Sequence, residues 1–163
     1  MKRHSKFQPR GRSGHRLDKF VTASAKKMIA GEIAIRGIIA DFDLTKLQDL
    51  REFRAVLVKE PFGAEPASVD VELSYHVDCA QGEFMIVIEI AGVKQFDVGK
   101  LTSPSLSLVD ILCVEDMSDD GWEGCNYRIL DMCEDILVGY ARDVRFTKLI
   151  DLSNGDAIEL VEN

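Results

Sequence analysis

The sequence predicts a mainly β chain of the α+β class: an antiparallel β-sandwich or partly open barrel with one or two short helices near its N-terminus. Apolar and polar residues alternate over long stretches. Glycine-marked turns separate those stretches, and no strand–helix–strand rhythm is present, which argues against a parallel sheet. The chain has 163 residues and 18.2 kDa, 46% of them apolar, enough for one domain with a core of its own.

The N-terminal elements are predicted to be helical. Residues 22–30 are rich in Ala, Lys and Met, good helix formers, and Gly31 is placed to end that helix. Residues 32–36 alternate, with Ile33 and Ile35 on one side, as a short strand would. Thr45 and Gln48 have capping-box spacing, and Leu44, Leu47, Leu50 and Phe53 recur at helical intervals, so a second short helix is expected there. Residues 55–58 leave it as a strand, and Pro61, Gly63 and Pro66 mark a loop.

The centre of the chain carries the strongest signal. Val69, Val71, Leu73, Tyr75, Val77 and Cys79 alternate with Asp70, Glu72, Ser74, His76 and Asp78. Period two over that length means a strand with one wet and one dry face. Gln81-Gly82 turns the chain, and Phe84, Ile86, Ile88 and Ile90 supply a matching dry face on the return, giving an antiparallel hairpin. Residues 106–114 are nearly continuously apolar, as a central strand would be. Asp120-Gly121 and Gly124 separate them from residues 127–132, so a second hairpin is expected. Residues 136–140 and 144–150 are further strands, and Asn154-Gly155 returns residues 157–161 against the last of them. The total is eight or nine strands.

Charge divides the chain. Residues 1–27 hold nine bases and one acid, Asp18, a balance of +8, whereas the remaining residues hold 11 bases and 27 acids, a balance of −16. Residues 1–21 form a basic arm, too poor in large apolar side chains and too rich in Gly and Pro to order itself, attached to a single acidic domain over residues 22–163. In the arm, Lys2, Arg3, Lys6, Arg10, Arg12 and Arg16 are the nucleic-acid candidates, since clustered cations neutralise phosphates and release counterions. A solubilising tail, or an arm folded on its own acidic body, accounts for the same bases. No apolar run is long enough to span a membrane and no signal-peptide core follows the basic N-terminus, so a cytoplasmic protein without membrane association is expected.

The chemistry-bearing residues form no catalytic set. Cys79, Cys113, Cys125 and Cys133 contain no Cys-x-x-Cys pair and read as reduced core thiols. His76 is the one histidine outside the arm, and no glycine-rich phosphate loop is present. Residues 116–121 imitate the opening of a calcium loop, but the twelfth position, where a bidentate Glu belongs, is Tyr127. No metal, no cofactor and no enzymatic activity are expected. The better reading of this segment is an acidic loop in which Glu115, Asp116, Asp119, Asp120 and Glu123 surround Trp122. Tryptophan is a favoured interface anchor, and the carboxylates suit a cationic protein partner. The competing reading folds Trp122 back onto the core. A homodimer through an exposed sheet edge is a further expectation.

One resemblance accompanies these readings. Residues 106–112 lead into a polar hairpin, followed by Tyr127-Arg-Ile-Leu-Asp131, Ile136 and Asp143-Val-Arg-Phe146. Over residues 50–153 this order of features resembles small bacterial β-sandwich immunity proteins of polymorphic-toxin systems, which often show a strand ending in Tyr-x-Val-x-Asp before a further strand pair. The arm and the segment before residue 45 have no counterpart in that pattern, and no site residue carries over. The resemblance implies stoichiometric binding and silencing of a toxin domain, without catalysis.

Overall fold

Alternating side chains give most strands one dry face, and the chain satisfies those faces by stacking two antiparallel sheets. The computed structural model describes residues 28–47, 49–58, 68–98, 112–131 and 137–160. Nine strands lie among them: β1 (Asp49–Val58), β2 (Ser68–Cys79), β3 (Gly82–Val93), β4 (Gln95–Val98), β5 (Leu112–Asp116), β6 (Tyr127–Asp131), β7 (Leu137–Ala141), β8 (Asp143–Asp151) and β9 (Ala157–Glu159). The first sheet has the order β1-β2-β3-β8-β9 and the second β4-β7-β6-β5, every pairing antiparallel. Neither sheet closes into a barrel. The predicted hairpins at β2/β3, β5/β6 and β8/β9 all form.

The two sheets share strands that cross between them. Gly92, with φ +61°, lies at the end of β3, which pairs with β2 as far as Val93, and the chain continues from Gln95 as β4 in the second sheet. Residues 141–143 carry β7 into β8 alongside it. A bulge at this corner frees the Gly92 N–H, and the Asp70 carboxylate accepts it at 2.8 Å. Inward side chains from both sheets, including Leu73, Tyr75, Ile86, Ile88, Phe146, Leu112, Ile129 and Leu137, form one continuous core.

The N-terminal helix begins where a strand was expected. Helix α1 is Glu32–Ile38, Met28–Ala30 precede it as non-helical chain, and residues 22–27 lie outside the described residues. Gly31 therefore opens the helix instead of ending one. Its φ is +83°, and a Cβ there would stand 2.4 Å from the Phe146 carbonyl oxygen, so only glycine permits this approach to β8. The buried apolar residues are Ile35 and Ile39, one turn apart, while Ile33 is 69% exposed. Glu32, buried, accepts from the Ile29 N–H and pairs with Arg36 at 2.7 Å.

The second expected helix is a single three-residue 3₁₀ turn, Leu44–Lys46, followed at once by β1. The Thr45 N–H is taken by Asp43, and Gln48 lies outside the described residues. Leu50 and Phe53 sit three apart because Arg51 is an extra residue in the β1/β2 register, which turns both side chains to the dry face. The expected central strand is also corrected: residues 106–111 lie outside the described residues, and β5 is the edge of the second sheet. Residues 28–47 bridge the sheets, since Ala30 accepts from Phe146 of β8 at 2.9 Å and Leu47 accepts from Leu112 of β5 at 3.4 Å. Among the described residues no helix is long and apolar enough to cross a membrane.

Candidate functional site

The loop joining β5 to β6 is held at both ends by backbone bonds. The Met117 N–H donates to the Asn126 carbonyl at 2.7 Å, and the Asn126 N–H donates to Ala141 of β7 at 2.9 Å. Within it, Asp116 accepts from the Ser118 N–H and hydroxyl, at 2.8 and 2.5 Å, and sets the 3₁₀ turn Ser118–Asp120. A tight turn follows, in which the Cys125 N–H donates to the Trp122 carbonyl at 3.2 Å and Gly124 takes φ +71°. Cys125 in this turn is buried, and its neighbours Trp122, Glu123 and Gly124 are exposed.

Trp122 is thereby lifted out of the core. It is 54% exposed and lies flat on Tyr140 of β7, with ring centroids 5.4 Å apart and planes inclined by 18°. Tyr140 lies between the buried Gly139 and Ala141, and so points to the outer face of the second sheet. Gln95 of β4 and Arg128 of β6 stand opposite it, and Arg128 stands opposite Glu115 of β5. One cross-strand row therefore runs Gln95, Tyr140, Arg128, Glu115, with Trp122 stacked on its tyrosine. The Lys94 stem packs beneath the loop, where its Cε is 3.3 Å from the position a Cβ on Gly124 would take.

The six acidic-loop candidates separate by what they touch. Glu115 is spent on Arg128, at 3.2 Å, and Asp116 on the turn. Asp119, Asp120 and Glu123 are exposed around Trp122 and join no ion pair among the described residues. Between Glu115 and Asn126 the sequence holds five carboxylates and no base. Sequence reasoning found the loop and its tryptophan but missed Tyr140, Arg128 and Gln95. An aromatic at an outward position of the β7 alternation was the signal available for Tyr140.

The remaining candidates lie elsewhere. His76 is on the outer face of the first sheet, 3.6 Å from Asp49 and 3.4 Å from Glu83. Cys79 and Cys125 are free thiols, Cys113 lies on β5, and Cys133 lies outside the described residues. Among the described residues no group of three or more His, Cys, Asp or Glu is placed to hold a metal ion. The arm, with Lys2, Arg3, Lys6, Arg10, Arg12 and Arg16, falls within residues 1–27, outside the described residues. Comparison with known protein families, with curated protein sequences and with solved structures returned no match.

One buried polar group stands apart from the surface. The Tyr75 hydroxyl, fully enclosed between the sheets, has no hydrogen-bond partner among the described residues. Burial, and secondarily the negative charge of Asp131, push its ionisation far above the ordinary tyrosine value of 10.0. Asp131 is itself enclosed and accepts from the Leu137 N–H at 2.9 Å, tying β6 to the start of β7.

Proposed function

We propose that this protein is a non-catalytic binding module that seats a cationic protein partner on Trp122, neutralising that partner in the manner of an immunity or inhibitor protein. The observation that carries this reading is Trp122 itself: half-exposed, yet fixed face-on to Tyr140 by a loop with its own backbone bonds. An indole held this way loses little freedom on binding, and a lysine or arginine over its open face gains a cation–π attraction. Asp119, Asp120 and Glu123 would meet the same cation, and the −16 balance of residues 28–163 would steer it inward. The free thiols of Cys79 and Cys125 agree with a reducing, cytoplasmic setting.

Because Trp122 is the single tryptophan, its fluorescence reads the site directly. Titration with a tetra-arginine peptide is expected to change that emission saturably, with binding weakened by salt, and Tyr140→Ala should reduce the affinity at least fivefold. Unchanged emission up to millimolar peptide would remove the reading. The nucleic-acid alternative is favoured by the nine bases of residues 1–27. It predicts salt-sensitive RNA binding that disappears when residues 1–20 are deleted and is indifferent to Tyr140→Ala.

A further inference from the structure

Four strands have an edge that no described residue pairs: β1 and β9 in the first sheet, β4 and β5 in the second. An open edge offers unpaired N–H and C=O groups to any other chain, and charge is a common defence against this. Two of the edges carry that defence against a second copy of this protein: β4 presents Asp97, and β5 presents Asp116 beside a Glu115 already paired with Arg128, with no base in either strand. Strand β9, whose Glu159 is paired with Lys148 at 3.4 Å, is blunted by its length of three residues. Two copies meeting along β4 or β5 bring like charges together.

Strand β1 differs. It spans ten residues, its two acids, Asp49 and Glu52, are balanced by Arg51 and Arg54, and it ends on Ala55-Val56-Leu57-Val58. All four of these are exposed, Val56 at 40% and Leu57 at 56%. On a body whose charge otherwise repels its own copy, this is the neutral, apolar and regular edge.

We propose that two copies of the chain pair antiparallel along β1, about a two-fold axis at Ala55, to make one continuous ten-stranded sheet. Geometry restricts the choice of axis. Opposed residues in an antiparallel pair must be alike in the direction of their backbone bonds, so the axis must pass through a residue. An axis at Glu52 or Arg54 sets that charge against its own copy. An axis at Phe53 runs the partner strand across the extra residue at Arg51, where the regular spacing breaks. The axis at Ala55 pairs residues 52–58, all in regular register with β2, and opposes Phe53 to Leu57, Arg54 to Val56 and Glu52 to Val58, with no like charges facing. Val56, Leu57 and Val58 are thereby covered.

The test is sedimentation equilibrium of the full chain over a range of concentrations. The expected result is a reversible rise from 18.2 kDa to twice that mass. The association should strengthen with added salt, because screening lowers the repulsion between bodies of like charge. Val56→Lys on β1 should abolish the rise, and Ile158→Lys on β9 should leave it unchanged. Hydrogen exchange on the unaltered chain supplies a second measurement that needs no variant: amides within residues 52–58 should exchange more slowly as concentration rises. A monomer at every concentration up to millimolar, association that survives Val56→Lys, or exchange over residues 52–58 that ignores concentration would each overturn the proposal. Association lost with Ile158→Lys instead would assign the contact to β9 and overturn it as well. These readouts do not involve Trp122, so failure here leaves the loop proposal standing, and the reverse.

Discussion

A tyrosine hydroxyl sealed between two sheets without a partner costs stability, and the cost has a sign that pH exposes. Tyr75 is wholly buried and unbonded among the described residues, with Asp131 near enough to oppose its ionisation. Removing a lone polar atom while keeping the ring recovers a desolvation penalty of about 1–3 kcal/mol, offset by a small packing loss. Tyr75→Phe should therefore melt at or above the wild-type temperature at pH 7. The folded-state ionisation lies above the ordinary value, so the protonated form is the one the fold retains. That contribution is complete below pH 10 and declines above it, as tyrosine in unfolded chains ionises while Tyr75 does not. The phenylalanine variant has no such decline, so the gap in melting temperature should widen steadily from pH 9 to pH 11. A variant destabilised by more than about 1 kcal/mol at neutral pH would show that the hydroxyl makes a bond that matters.

At the level of elements, one local device recurs three times. In Asp43-Leu-Thr45, Asp116-Met-Ser118 and Asp151-Leu-Ser153 the aspartate accepts both the N–H and the hydroxyl of the residue two positions on. Each marks a strand boundary: before β1, after β5 and after β8. The Thr45 hydroxyl holds Asp43 below the usual carboxylate range, and the Ser153 hydroxyl does the same to Asp151. A depressed folded value means stability that is present above the ordinary 3.8 and lost as pH falls below it. Asn at both positions keeps the acceptor but not the charge. The double variant Asp43→Asn/Asp151→Asn should melt lower than wild type at pH 6, and the difference should shrink as pH falls below 3.8; a constant difference would mean the carboxylate charge plays no part. The β2/β3 hairpin was readable in the sequence because it is set by residues close together in the chain. These aspartate turns are equally local but were not read there, where Thr45 and Gln48 have the spacing of a capping box. What was not readable depended on contacts between distant residues. The Leu50–Phe53 spacing looks helical until β2 imposes a bulge at Arg51. Gly31 looks like a helix stop until Phe146 leaves no space for a Cβ. Trp122 could be assigned to a loop but not to the surface, since its support, Tyr140, comes from another strand.

Over the whole molecule, electrostatics separates acidic residues that have a described contact from acidic residues that have none. Residues 28–163 carry −16, so each additional unpaired carboxylate on that body adds repulsion. Glu115 offsets its share by pairing with Arg128, and Asp116 by closing a turn. Asp119, Asp120 and Glu123 have no such compensation among the described residues. Replacing all three with Asn, Asn and Gln removes charge without removing a described contact. The neutralised variant should therefore melt at or slightly above the wild-type temperature in 10 mM salt. The advantage should disappear near 0.5 M, where charges are screened within about 4 Å. If these carboxylates serve a cationic partner, the same variant must bind the tetra-arginine peptide at least tenfold more weakly while Trp122 keeps its free-state emission. Higher stability with lost affinity is the combination a binding surface requires, because such groups are retained against the interest of the fold. Lower stability would give the three residues a structural role, and undiminished affinity would detach the acidic loop from binding altogether.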